Sequence, residues 1–157
     1  MIKDIYFDNF FGPGWPPIAS LEPYFLAQKG KEWFHNSGND SGSVSVKGIE
    51  GTEHLRQGKG RKDIRLSMWG NPDRGVLLVY KMTGVVPPYG FCSMGDMSRI
   101  KEWVRSLHDD PLPVGLFIPF PKAWLAVKEF METEGQLPTS IEWVKCDDLP
   151  ANTFPDP

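Results

Sequence analysis

Apolar and polar residues alternate along the first half of the chain and fall at helical spacing in parts of the second. Ile2 to Phe7 reads as a first strand. Val44 and Val46, with Ser45 and Lys47 between and after them, predict a half-buried strand over Val44 to Ile49. From Asp63 to Trp69 the alternation returns: Ile64, Leu66 and Met68 on one face, Asp63, Arg65, Ser67 and Trp69 on the other. GNPDRG then predicts a tight turn. GVLLVYKM (Gly75 to Met82) is nearly all apolar, which predicts a central strand covered on both faces. Tyr89 to Cys92 is a further strand after Pro87 and Pro88, and Ile141 to Lys145 a last one.

Three stretches have helical period. Leu21, Tyr24, Phe25 and Gln28 predict a short helix, with Ser20 as N-cap and Pro23 in the first turn. Ile100, Trp103, Val104 and Leu107 lie at i, i+3, i+4, i+7, and Asp96 or Ser98 stands ready to cap; this predicts a surface amphipathic helix. Trp124, Val127, Phe130 and Met131 form the strongest stripe, with Pro121 at the first helical position and Gly135 at the C-terminal cap. Between them lie FFGPGWPPIAS, the turn-rich HNSGNDSGS (His35 to Ser43) and EGTEHLRQGKGRK, a wide hairpin connection. Strands followed by mixed helices and strands predict an α+β fold. We expect an antiparallel sheet with helices packed on it, in a single domain over 1–157.

Composition narrows the function more than the fold. At 157 residues and 40% hydrophobic, the chain can bury a core without disulfides or metals. A net charge of −3 argues against a nucleic-acid binder. The charge is uneven: Arg56 to Arg65 carries five basic residues and one Asp, and Glu132 to Pro157 carries six acids and one Lys. Each run reads as solvated surface, or, for the acidic end, as a means of steering toward a basic partner. Cys92 and Cys146 form no CxxC and read as ordinary buried thiols of a reducing compartment. MIKDIYFDNF has no apolar signal core, and no apolar run reaches membrane-spanning length, so a cytoplasmic protein without a membrane partner is expected.

The chemistry-bearing clusters are weak. EGTEH (Glu50 to His54) holds two carboxylates and a His but has neither the HExxH spacing nor a second His cluster, so it reads as a loop organised by Thr52 and Glu53. His108, Asp109 and Asp110 are consecutive and cannot converge on one substrate atom; His108 reads as compensation for a helix end. QGKGRKD lacks the phosphate-loop spacing. There is no GxSxG elbow and no HxE…PCxxC deaminase signature. Cys92 has no evident His partner. Trp103, Trp124 and Phe130 lie on helical stripes and read as core, whereas Trp15 and Trp69 are each either core or exposed anchors. No catalytic residue, metal site or cofactor is expected.

The ending PFPKAWLAVKEFMETEGQLPTSIEWV carries a resemblance. Pro121 and Ala126 precede or open a helix with an apolar stripe and Phe130; Gly135 and Pro138 make a Gly-x-x-Pro turn; Trp143 follows on a strand. In this the chain resembles the first-numbered Imm family of bacterial toxin-immunity proteins. IEGTEHL and WGNPDRGVLLVY extend a weaker likeness back to about Val46. One stretch departs from it: some members carry a "GGT-Glu"-like segment where this chain has PPYGFCSMGD.

The resemblance implies a non-enzymatic antidote that binds the C-terminal domain of a cognate toxin, one to one. That toxin is expected to be a nucleic-acid deaminase of the cytidine type, or otherwise a nuclease. Active-site occlusion, helped by acidic charge against a basic substrate cleft, is the expected mechanism. Loop carboxylates and the more exposed aromatics are the expected contacts: Glu50, Glu53, Trp69, Asp73, Asp96 and Glu142. Within LPTSIEW, Pro138 stops the last helix, Trp143 locks the closing strand, and Glu142 faces away from Trp143. Two other classes remain open: a small enzyme with an unrecognised site, which requires a pocket of converging polar groups, and a structural partner in a secretion-associated complex.

Overall fold

The computed structural model describes residues 1–27 and 40–156. Strands β1 (Ile2–Phe7), β2 (Phe10–Pro13), β3 (Ser41–Lys47), β4 (Asp63–Asn71), β5 (Gly75–Thr83), β6 (Tyr89–Ser93) and β10 (Trp143–Lys145) lie in the order β10-β6-β5-β4-β3-β1-β2. Every neighbouring pair is antiparallel. The two-residue strand β9 (Phe117–Ile118) continues the edge of β5 where β6 stops, pairing Val76 with Ile118 and Leu77 with Phe117. A separate hairpin joins β7 (Trp103–Arg105) to β8 (Pro111–Pro113). The helices are α1 (Glu22–Leu26) and α2 (Phe120–Glu132). The expected α+β architecture, an antiparallel sheet with helices on it, is the observed one.

Strand period decides the faces. Ile5, Val44, Leu66, Tyr80 and Phe91 stand opposite one another across β1, β3, β4, β5 and β6. This front face meets α1 and α2 in the main core, where Phe130, Val127, Ala126 and Ala123 are wholly buried. Each such apolar side chain taken out of water contributes about 1.5–3 kcal/mol for the larger ones. On the rear face, Ser43, Ser67, Val79, Cys92 and Val144 form the corresponding row. Its β5–β6–β10 end is covered by Leu112, Leu116 and Phe117 with Met97, Ile100 and Val104 beside them. The strand GVLLVYKM is therefore covered on both faces, as its apolar run predicts: Val76, Leu78, Tyr80 and Met82 in front, Leu77 and Val79 behind.

The stretch expected as the middle helix folds differently. Asp96 caps a single 3-10 turn, Met97–Arg99, accepting from Ser98 N–H (3.1 Å) and Ser98 Oγ (2.6 Å). The chain then extends into β7. Ser106 Oγ accepts from His108 N–H (3.2 Å) and Asp110 N–H (3.0 Å), and Asp109 takes φ +64°. Leu107 N–H donates to the buried Asp40 carboxylate (3.0 Å), and Trp103 Nε1 to the Thr153 carbonyl (2.8 Å). These polar links favour the hairpin over the helix that the apolar spacing alone allows. Trp103 and Leu107 are accordingly 42% and 55% exposed instead of sharing a core stripe. His108 sits in the hairpin turn and compensates no helix end.

Smaller differences have local causes. Ser20 ends a 3-10 turn, and the N-cap position of α1 is Leu21, with no side-chain cap. Gln28, the last position of that expected stripe, lies outside the described residues, as does the expected loop up to 39; Ser41–Ser43 already belong to β3. FFGP is strand β2, not loop. Trp15 is half-buried against Phe130, donates Nε1–H to the Asp4 carbonyl (3.0 Å) and lies under the Lys3 ammonium, so it is no free anchor. Helix α2 begins at Phe120, one residue before Pro121. It ends in a double hydrogen bond, Gly135 N–H to the Phe130 carbonyl (2.9 Å) and Glu134 N–H to the Met131 carbonyl (3.3 Å). Glu134 takes the left-handed position ahead of Gly135 (φ +56° and +104°). At the head of β5, a Cβ on Gly75 would lie 2.0 Å from the Ile118 carbonyl oxygen, so only glycine lets β9 close on β5.

Candidate partner-binding groove

A groove of about 890 Å³ opens on the front face, between the end of α2 and the β5–β6 end of the sheet. Its floor follows from register. Ile64 on β4 is opposite Met82 on β5, Met82 is opposite Tyr89 on β6, and Tyr80 is opposite Phe91. Helix α2 stops short of this end of the sheet, leaving Tyr89 42% exposed and Phe91 half-buried. The two rings meet edge to face, 6.0 Å between centroids. Leu137 closes the side where the chain leaves α2.

The wall beyond α2 is held by polar contacts. Tyr80 donates its hydroxyl to the Gly135 carbonyl (2.7 Å), and its pKa is pushed up to about 12, by burial first and by Tyr89 second. The Glu129 carboxylate accepts from Thr139 N–H (2.6 Å) and Ser140 N–H (3.1 Å). Burial pushes the Glu129 pKa up, but the hydrogen bonds from Thr139 and Ser140 together outweigh it and hold it below the ordinary value. Trp143 Nε1 donates to the Pro138 carbonyl (2.8 Å). LPTSIEW is therefore a hydrogen-bonded turn that carries the chain from α2 into β10, and Lys145 comes to lie opposite Phe91 at the rim.

Carboxylates surround the apolar floor. Glu50, Glu134 and Asp147 line the groove. Glu50 pairs with Lys62 (2.6 Å) and Glu134 with Lys3 (3.1 Å); their side chains are 61% and 49% exposed. Pairs this exposed contribute at most about 1 kcal/mol, so the carboxylates can exchange lysine for a partner's cation at little cost. Asp147 makes no ion pair with any described residue. At the neck of the β3–β4 connection, Arg61 grips Asp63 with two bonds of 2.9 Å, and Asp63 accepts from Gly48 N–H (3.0 Å). Thr52 bonds both the Ile49 carbonyl (2.7 Å) and Lys62 N–H (2.9 Å). EGTEH is thereby fixed as a structured loop.

The six residues singled out from sequence do not share one place. Glu50 lines the groove, and Glu53 sits beside it, paired with the amino group of Met1 at a shallower neighbouring hollow. Trp69 is half-buried against the rear core and lines a different cleft. Asp73 is in the β4–β5 turn, at the opposite end of β5 from the groove. Asp96 is exposed and caps its turn; Ser98's hydroxyl and N–H hold its pKa below the usual range. Glu142 is exposed just before β10, its carbonyl accepting from Met94 N–H (3.2 Å). Tyr89, Phe91, Glu134 and Asp147 were not singled out. The signal available was slight: aromatics at alternate positions of a strand behind a Pro–Pro pair.

No curated protein and no solved structure matches the chain. The expected likeness reached back to about Val46, whereas the family match begins at 102. Residues 102–145, from just before β7 through β10 and including the α2 wall of the groove, match the model of the family described as Immunity protein Imm1, which supports an immunity-protein family for this chain.

Proposed function

We propose that the chain is a non-enzymatic immunity protein of the cytoplasm that binds one copy of a cognate toxin domain through the front groove and occludes the toxin's active site. The observation that carries this reading is the family match across α2 and the turn that wall the groove. The groove's make-up supports it: an apolar, aromatic floor with carboxylates at the rim suits a protein partner better than a set of converging polar groups would. A toxin acting on nucleic acid needs a basic substrate cleft. Asp147 meets such a cleft directly, and Glu50, Glu134 and Glu53 meet it by exchanging Lys62, Lys3 and the Met1 amino group for its cations. A cytidine-type deaminase is the toxin class proposed.

The test is co-expression with the C-terminal domain encoded by the adjacent open reading frame. Restored growth with a one-to-one complex on gel filtration is the expected result. Continued toxicity and no complex, with both proteins folded, would remove this reading for that toxin. Toxin activity on single-stranded DNA or RNA, measured with and without the chain, identifies the chemistry blocked.

A further inference from the structure

The rear face carries a second feature, independent of the groove. Cys92 and Cys146 are expected as ordinary buried thiols, and Cys92 is wholly buried. Cys146 is not. It is half-buried in the 3-10 turn Cys146–Asp148 that follows β10, and it lines a cleft of about 450 Å³ between the rear of the sheet and residues 149–154. The two sulfurs are 3.5 Å apart. Space for this approach comes from Gly90, where a Cβ would lie 3.1 Å from Cys146 Sγ. Arg65 and Lys81 also line the cleft, on adjacent strands and in register, and neither forms an ion pair with a described residue. The cleft thus joins an accessible thiol, a second thiol in contact behind it and two cations.

We propose that this cleft is a thiol–disulfide exchange site for small anionic disulfides, with Cys146 as the attacking group and Cys92 as the resolving one. In the first step the Cys146 thiolate attacks one sulfur of the incoming disulfide. A Cys146–S–S–R bond forms, the original S–S bond breaks, and one RS⁻ leaves with the electron pair. In the second step Cys92 gives up its proton and attacks Cys146 Sγ; the second RS⁻ leaves and takes that proton as RSH. The chain is oxidised by two electrons and the disulfide reduced to two thiols. Contact with Cys92, then the Lys81 charge, pulls the Cys146 pKa down to about 7 against the opposing effect of burial, whereas the same contact and deep burial push the Cys92 thiol up. Accessibility sets the order of attack: Cys146 is partly exposed at the cleft, whereas Cys92 is wholly buried behind it.

The experiment treats the full native chain with an aryl disulfide bearing a carboxylate on each ring and follows the release of coloured thiolate. The expected result is two thiolates per chain and a product lighter than the reduced protein by two hydrogens, with no adduct left. Cys92→Ala stops at one thiolate and keeps the adduct. Cys146→Ser loses the fast phase. Cys92 is packed in the rear core, so peptide mapping of the wild-type chain quenched early provides a check free of mutation: the first adduct must be on Cys146. A native chain that reacts only after denaturation would overturn the proposal, as would two stable adducts without a bridge or a first adduct on Cys92.

Discussion

Strand β5 is buried on both faces, yet its two covers are built differently. In front lie the short α1 and the thirteen-residue α2, whose apolar stripe packs against the strand rows, with Phe130 in ring contact with Tyr80 and Trp15. Behind lie short 3-10 turns, a two-strand hairpin and an irregular tail. The front depends on apolar area and tight packing. The rear joins a smaller apolar cluster to a few individual hydrogen bonds that hold its irregular pieces in place. The buried Ser93 hydroxyl donates to the Leu116 carbonyl (2.6 Å) and accepts from Leu78 N–H (3.0 Å), and Asp40 holds the hairpin turn. A repeating pattern can build the first kind of cover, whereas the second needs particular polar side chains at particular places.

This contrast can be broken or sharpened. The largest effect is expected at Phe130, wholly buried in the front core. Phe130→Ala should lower stability by about 3–5 kcal/mol in urea unfolding, through lost transfer energy and a cavity. Ser93→Ala comes next. It removes only an oxygen, yet strands a buried N–H and a buried carbonyl, for an expected loss of about 2–3 kcal/mol. A loss near zero there would mean that the rear face, too, rests on packing alone.

Glu129 gives a smaller, pH-dependent effect. Its folded pKa is held below the ordinary value, so its contribution is complete above the unfolded carboxyl pKa of about 4.3 and disappears as pH falls through the folded pKa. Glu129→Gln should cost stability at neutral pH and flatten the acid limb of a stability–pH profile. Leu107→Ala should change stability least, within about 0.5 kcal/mol, because Leu107 is 55% exposed in the hairpin turn. On a helical stripe the same change would cost about 2–5 kcal/mol.

The same division decides what could be read in advance. The bounds of β1, the β4–β5 hairpin, the two-sided burial of β5 and the stripe of α2 follow from period two or period 3.6 against one continuous cover. The hairpin at 103–113 could not be read that way. Ile100, Trp103, Val104 and Leu107 match helical spacing, and the residues that override it, Asp40, Ser106 and Thr153, act across the chain or through a side-chain turn. Strand β9, two residues long, has no pattern of its own. The groove was legible only at Glu50, a loop acid, with Glu53 beside it. Its floor and rim come from the β3–β4 loop, β6, the end of α2 and the turn after β10, which only the sheet register and the Tyr80–Gly135 bond bring together.

The central claim is that the front groove holds the toxin. The most direct test is the affinity of the purified cognate toxin domain for the wild-type chain, Tyr89→Ala and Asp73→Ala, measured by titration calorimetry with folding checked for each. Tyr89 is exposed at the groove, so its loss should spare the fold and weaken binding by about 2 kcal/mol or more, roughly thirtyfold in Kd. Asp73, at the far end of β5, should leave Kd unchanged. Unaltered affinity at Tyr89 together with a large loss at Asp73 would contradict the account and move the interface to the other end of the sheet.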